Sequence, residues 1–265
     1  MYSFSYQKVK SVDDAAKVIA KDADAKLLAG GQSLIAAMKL RLSKPSNVVD
    51  IGGIKDLAGI KADAKAVTLG AMTRHAEVAA SAAVKKAIPA LAALAGDIGD
   101  RMVRNMGTIG GSIANNDPAA DYPAGAVGLG ATIVTNKRKI AADDFFKGMY
   151  ETALGKGEII TSVSFPVPKR AAYMKFKNPA SRYAIVGVFV ADFGASVRVA
   201  VTGAGPGVFR VAAMEKALAA KFAPESVANI QVPDKGLNSD LHAKADYRAH
   251  LITVMARRAV EAALK

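Results

Sequence analysis

The sequence predicts an α+β protein built from two units, on three observations. Up to about residue 166, short apolar runs alternate with alanine-rich helical stretches and are punctuated by glycine pairs. From Glu158 the texture changes to four consecutive strand-like runs, IITSVSFPVP, AAYMKFKN, AIVGVFVADF and SVRVAVTGA, whose spacing reads as an antiparallel sheet. A long amphipathic helix then ends the chain, with an apolar stripe suited to covering that sheet. At 265 residues a single hydrophobic core is stretched, so compact units with a ligand cleft between them are expected.

Ser11 is placed as N-cap of the first helix, SVDDAAKVIAKD, with Asp14 in its first turn and Ala15, Val18 and Ile19 on one face. A strand at 26–29 runs straight into Gly30-Gly31, and the apolar IAAMKL follows before Lys44-Pro45 breaks the pattern. Residues 47–51 read as a strand before a second pair, Gly52-Gly53, and residues 66–71 as another. Thr73 is placed as N-cap of an alanine-rich helix, and Pro89 opens a further helix to about Ala95. GDIGDRMVRNMG leads into TIGGSIANNDPAADYP, residues 108–123. A strand at 131–135, a lysine-rich turn and DDFFKG come next, and the boundary between units falls at Pro166–Lys169. Helices are expected at 214–222, 224–228 and 246–264, the last presenting Leu251, Val254, Met255, Arg258 and Ala259 to the sheet.

Composition removes several classes of function. Apolar residues make up 51% with 6% aromatic, which describes a well-packed globular protein without disorder. There is no cysteine, so no thiol nucleophile, thiolate-bound zinc or iron–sulfur cluster can be built by this chain alone. His75, His242 and His250 have no metal-ligand spacing, and no metal is expected. No signal-like or membrane-spanning apolar run occurs, so a soluble cytoplasmic protein is expected. The net charge of +13 is scattered, without the aromatic-basic platforms of nucleic-acid readers; it fits a solvated basic surface or docking onto more acidic subunits.

The stretch at 108–123 gathers two adjacent glycines, a Thr, a Ser, two Asn and two Asp, more than a surface turn needs. Paired glycines let a ligand approach the backbone closely, and hydroxyls, amides and N–H groups suit an anion. A dinucleotide carries such an anion in its pyrophosphate. Neither GxGxxG nor GxxxxGK[ST] occurs, which excludes a Rossmann or P-loop site. Each glycine pair alone also reads as a tight turn.

Taken together, AGGQS at 29–33 and RNMGTIGGSIANNDPAADYP at 104–123 resemble the flavin-binding subunit of the molybdenum hydroxylases, the family of xanthine dehydrogenase and aerobic carbon monoxide dehydrogenase. The separate medium subunit of the carbon monoxide dehydrogenase type is especially similar. The resemblance spans essentially the whole chain, including DDFFKG, GEIIT and YMKFKN. It implies a two-lobed FAD-binding domain of the vanillyl-alcohol-oxidase/PCMH type over 1–166, with lobes at roughly 1–56 and 57–166, then a smaller C-terminal domain over 167–265.

Carried over by resemblance, Ala29, Gly30, Gly31, Gln32, Ser33 and Leu34 form one side of an FAD pyrophosphate cradle, and Thr108, Ile109, Gly110, Gly111 and Ser112 the other. Asn115 and Asp117 match the segment passing near the flavin, and Asp121 the acid that bonds its sugar-alcohol chain; Asp121 also reads as a helix N-cap. Asn116 stands where relatives often differ. Lys177 aligns with a lysine near the isoalloxazine ring, where a cation favours the anionic reduced flavin, or is plain surface charge. Tyr183 aligns with a tyrosine approaching the ring, or is a half-buried strand aromatic.

The implied activity is oxidoreductase electron transfer. The substrate is oxidised at a molybdopterin cofactor in a large subunit, two [2Fe–2S] clusters in a small subunit relay the electrons, and FAD in this chain passes them to an external acceptor. A dimer of heterotrimers is the implied assembly, and this chain needs no catalytic acid, base or nucleophile. The competing reading is a stand-alone flavin- or nucleotide-binding sensor without redox partners, which would expose no apolar docking surface.

Overall fold

The computed structural model describes residues 1–265. Its first fifty residues form a small parallel sheet. β1 (Ser5–Lys8), α1 (Val12–Lys21), β2 (Lys26–Leu28), α2 (Leu34–Lys39) and β3 (Asn47–Asp50) assemble with strand order β1-β3-β2. Both pairings are parallel, with Ser5 opposite Asn47 and Lys26 opposite Val48. Parallel neighbours need crossovers, and α1 and α2 are spent on them. Ser11 caps α1 as expected, its hydroxyl oxygen accepting the Asp14 N–H at 3.1 Å. Ala15, Val49, Ile54, Leu57 and Ile159 make the core of this lobe.

A 3₁₀ turn at Lys55–Leu57 leads to β4 (Ile60–Ala62) and β5 (Ala66–Gly70). Six helices follow: α3 (His75–Ala80), α4 (Ala82–Ala87), α5 (Pro89–Gly96), α6 (Arg101–Met106), α7 (Ile109–Asn115) and α8 (Asp121–Gly128). The chain then returns through β6 (Thr132–Thr135), β7 (Lys139–Ala141), α9 (Ala142–Phe145), the hairpin β8 (Phe146–Gly148) and β9 (Glu151–Thr152), and β10 (Ile160–Pro166). The second sheet has the order β4-β5-β10-β6-β7 and is antiparallel throughout.

The structure corrects three expectations in this region. Thr73 does not cap a helix; its hydroxyl donates to the Gly59 carbonyl at 2.9 Å and accepts the Gly59 N–H at 3.1 Å. Glu77 instead reaches back to the Arg74 N–H at 2.7 Å. The alanine-rich run is two helices, because Ser81 ends α3 and its hydroxyl oxygen accepts the Val84 N–H to start α4. The third correction is that IITSVSFPVP, the strand β10, does not join the sheet that comes after it. It pairs with β5 and β6 at the centre of the second sheet, where Val163 and Phe165 are fully buried with Val67, Leu69 and Ile133. Pro166 and Pro168 frame the exit, and neither has an N–H to donate to a ladder.

The third sheet is antiparallel in the order β11 (Arg170–Lys177), β12 (Ala184–Asp192), β13 (Val197–Thr202), β14 (Phe209–Arg210), followed by α10 (Ala212–Ala220), α11 (Glu225–Ala228) and α12 (Ala245–Ala263). β12 is buried at every position, covered on both faces. Leu251, Ile252, Met255, Ala256, Ala259 and Val260 of α12 cover one face with Val188, Val190 and Val199. Arg258, expected on that stripe, is exposed; Arg248 is the buried arginine, donating to the carbonyls of Ile185 at 2.6 Å and Gly203 at 2.9 Å. On the opposite face Tyr173, Phe189, Ala191 and Ala200 join the core of the second sheet and its helices. The alternation of β11 gives its two faces different neighbours. Ala172, Met174 and Phe176 turn to α12, whereas Tyr173 and Lys175 turn to the helices α5 and α8.

Candidate cofactor site

Residues 29–33 form the turn between β2 and α2, and they lie against the residues that precede α7. A Cβ added to Gly30 would overlap the Met106 carbonyl oxygen and stand 2.8 Å from the Gly107 Cα, so only glycine permits this backbone-to-backbone approach. Gly31 has φ +73°, the left-handed region that favours glycine. The N–H groups of Gly30, Gly31, Gln32 and Ser33 donate to no group of the chain, and the Gln32 and Ser33 side chains are exposed. Leu34 begins α2, and Ala29 faces the second loop.

That loop caps α7 from Thr108, whose hydroxyl oxygen accepts the Gly111 N–H at 3.2 Å. The Ile109 N–H donates to the Thr73 carbonyl at 3.1 Å, and the Gly110 N–H to the Ala71 carbonyl at 2.8 Å. Gly110 has no room for a side chain, since a Cβ there would stand 2.6 Å from the Ala71 Cβ. The donors of Ile109, Gly110 and Gly111 are therefore spent inside the protein, docking α7 onto the end of β5. The sequence predicts N–H donors in both loops; in the folded chain the free donors sit in the first, while the second presents Gly111 and the Ser112 hydroxyl, which has no partner in the chain, and Ile109 and Gly110 are buried. An added Cβ on Gly111 would lie 3.8 Å from the Ala29 Cβ, which measures how close the two loops are.

Below the second loop His75 and Tyr122 are buried with ring centroids 5.3 Å apart, and neither His75 Nδ1 nor the Tyr122 hydroxyl finds a partner. Burial, with a smaller contribution from the Arg104 charge, pushes the His75 imidazole down to about 4, so it is neutral at pH 7.

Of the residues after α7, Asn115 ends the helix half-buried, and Asn116 is left-handed at φ 44°. The Asn116 amide donates to the carbonyls of Gly148 and Glu151, both at 2.8 Å, and so anchors the β8–β9 hairpin. This gives the Asn-Asn pair a structural use. Asp117 accepts the Ala119 N–H at 2.9 Å and the Tyr150 hydroxyl at 3.3 Å. The Thr202 hydroxyl donates to the carbonyls of Pro118 and Ala120, which ties the turn before Asp121 to β13. Asp121 is the first residue of α8 and is buried; Ala120, not Asp121, occupies the N-cap position.

Asp121 Oδ1 accepts the Tyr173 hydroxyl at 2.6 Å and lies 3.0 Å from Lys175 Nζ. Burial pushes the Asp121 carboxyl up, opposed by the Lys175 charge and the Tyr173 hydrogen bond. The same Lys175 ammonium donates to the Asp97 carbonyl at 2.7 Å, and its side chain is wholly buried. Lys177, the lysine singled out in the sequence, is instead half-exposed and paired with the Asp97 carboxylate at 3.1 Å. Both lysines share a face of β11; the signal that could have separated them is position, since Lys175 is flanked by Tyr173 and apolar Met174 and Phe176 while Lys177 ends the strand.

Tyr183 is exposed in the turn before β12 and, with Asp117, Tyr150, Asn178 and His242, lines a cavity of about 490 Å³. Another cavity, of about 460 Å³, lies between Phe209, Val211 and residues 230–237 and contains none of the residues singled out in the sequence. The structure thus brings residues 29–34 and 108–112 together, and separately joins Asp117 to Tyr183 around one cavity and Asp121 to Lys175 in a buried cluster.

Residues 2–168 match the family model described as the FAD binding domain in molybdopterin dehydrogenase. The chain is 36% identical to the nicotine 6-hydroxylase medium subunit of Paenarthrobacter nicotinovorans, covering 96% of this chain and 95% of that one. It is 34% identical to the carbon monoxide dehydrogenase medium chain of Hydrogenophaga pseudoflava, over 98% and 96%. Among solved structures, reconstituted CO dehydrogenase from Oligotropha carboxidovorans superposes with a TM-score of 0.90 at 34% identity, over 99% of this chain and 98% of that one. The fold and these similarities define an FAD-binding oxidoreductase subunit. The chain belongs to the FAD-binding family of the molybdopterin dehydrogenases, the molybdenum hydroxylases.

Proposed function

We propose that this chain is the electron-transfer subunit of a molybdenum hydroxylase, working beside an iron–sulfur small subunit with two [2Fe–2S] clusters and a large subunit with the molybdopterin cofactor. Residues 1–166 are the FAD-binding domain, in lobes 1–56 and 57–166, and residues 167–265 a C-terminal domain. FAD, when bound, supplies the exchange between single-electron carriers and a two-electron acceptor. The chain's own work is binding and orientation.

One observation carries this reading: four unclaimed N–H groups at 30–33 lie where two glycine loops meet backbone to backbone. Unpaired N–H donors beside Gly111, which has no side chain, suit a pyrophosphate, and the Ser33 and Ser112 hydroxyls add to them. Ala29, Leu34 and Gly111 border the site, and the buried Thr108, Ile109 and Gly110 hold the second loop in place behind it. Asp121 accepts from a hydroxyl of the sugar-alcohol chain, and Asn115 and Asp117 border its path. Tyr183 covers the ring side. Lys177 contributes a charge already shared with Asp97 and screened by solvent, so its effect on the flavin is small.

Exposed apolar side chains favour a partnered subunit over a stand-alone sensor. Met102 and Met106 on α6 are 76% and 50% exposed, beside the loop that meets Gly30, and Leu40 and Leu42 beyond α2 are 71% and 79% exposed. The test is the visible spectrum of the chain purified alone and co-expressed with its genomic neighbours. Flavin bands together with iron–sulfur absorbance from co-purifying subunits are expected. A chain that stays colourless in both, even after incubation with FAD, would overturn the reading; a yellow chain without partners would favour the sensor.

A further inference from the structure

The structure assigns Lys175 and Tyr173, both on β11 of the C-terminal sheet, as positioning residues for Asp121: they fix its carboxylate so that Oδ2 alone faces the cofactor's sugar-alcohol hydroxyls. This rests on the reading of Asp121 as a flavin contact. Oδ1 is fully engaged, by the Tyr173 hydroxyl at 2.6 Å and the Lys175 ammonium at 3.0 Å, and no protein donor reaches Oδ2. One hydrogen bond and one ion-pair contact on the same oxygen hold the carboxylate in place, and the buried ammonium balances its charge.

The cluster is built rather than incidental. The Lys175 side chain has no exposed surface, and its second bond, to the Asp97 carbonyl at 2.7 Å, ties the end of α5 to the start of α8. Gly187 on the neighbouring strand makes the space for Tyr173, because a Cβ there would overlap the phenol oxygen. Asp121 belongs to the FAD-binding part of the chain and both of its donors to the C-terminal sheet. The C-terminal sheet therefore takes part in holding the flavin through a side chain it does not itself contain. The titratable groups facing Asp121 are Tyr173 and Lys175 from β11, Asp97 from the end of α5, Tyr122 beside it on α8, and Tyr183 before β12.

The test is titration of the full chain, stripped of flavin, with FAD and separately with ADP, which has the pyrophosphate but no sugar-alcohol chain. Asp121→Ala sets the baseline and is expected to weaken FAD about tenfold or more while leaving ADP unchanged. Lys175→Met is expected to do nearly the same, and the double variant to be no worse than Asp121→Ala alone, as coupled groups require. Without its cation the buried Asp121 carboxyl is pushed further up by burial, so the FAD affinity of Lys175→Met should depend more steeply on pH than the parent's. Tyr173→Phe keeps the ring packing and should weaken FAD several-fold, again sparing ADP. If Asp121→Ala binds FAD like the parent, the flavin contact itself is wrong. If Asp121→Ala is weakened but Lys175→Met and Tyr173→Phe are not, or if both ligands weaken together, the positioning role is overturned; should Lys175→Met not fold, Tyr173→Phe decides by the same criteria.

Discussion

Gly30→Ala is the sharpest probe of the loop arrangement. The added methyl would overlap the Met106 carbonyl oxygen and stand 2.8 Å from both the Met106 carbonyl carbon and the Gly107 Cα. All three atoms are backbone, so no rotamer change relieves the clash, and the loops must separate by about an ångström or more. Overpacking of this kind costs about 1–3 kcal/mol, and the absence of a flexible neighbour places this site at the upper end. For a chain of this size that corresponds to a fall in Tm of roughly 5–12 °C. The same separation moves the free N–H groups of residues 30–33, and losing one charge-assisted hydrogen bond lowers FAD affinity by about tenfold or more. Gly207→Ala is the control, because a Cβ there meets nothing within 4 Å. Thermal unfolding followed by circular dichroism and FAD titration by flavin fluorescence read both effects. A Gly30→Ala protein that melts and binds FAD like the control would refute the face-to-face placement of the two loops.

Other predictions test the surrounding framework. With its folded value at about 4 against an ordinary value of 6.5, His75 takes up a proton only in the unfolded chain between those values. Stability should therefore fall by up to about 3 kcal/mol as pH drops from about 6.5 to 4, and urea unfolding of His75→Gln across that range should show a shallower loss. Glu158 is held down to about 2, first by its hydrogen bonds to Arg138 and then against a burial penalty by the Gly155 N–H and the Thr135 hydroxyl. Its stabilising contribution is present above about pH 4.5 and lost as pH falls toward 2. Glu158→Gln should be destabilised by about 1.5–3 kcal/mol at pH 7, with the difference from the parent shrinking in acid. Thr108→Val removes the acceptor for the Gly111 N–H and should cost about 1 kcal/mol, read as a lower urea midpoint at unchanged slope.

Features set by neighbours along the chain were legible in the sequence. The Ser11 cap, the proline that opens α5, the strand before Gly30-Gly31, the three long strands after Lys169 and the long closing helix follow from local propensity, capping and periodicity. The glycine pairs were read as room for a ligand to approach the backbone; at Gly30 it is another stretch of backbone that approaches. Which backbones would meet was a tertiary matter: Gly30 meets residues seventy-six and more positions away, at Met106 and Gly107. Likewise β10 has the composition of its successors, and only pairing with β5 and β6 assigns it to the second sheet. The donors of the second loop look free in a linear reading and are consumed by Ala71 and Thr73. The two lysines of YMKFKN are alike in sequence, but the helices packed against β11 enclose Lys175 with Asp121 and leave Lys177 at the surface beside Asp97. Local chemistry determined which residues could bind an anionic cofactor; long-range packing decided which of their donors and charges remained for it, because every buried polar group must first be satisfied within the fold.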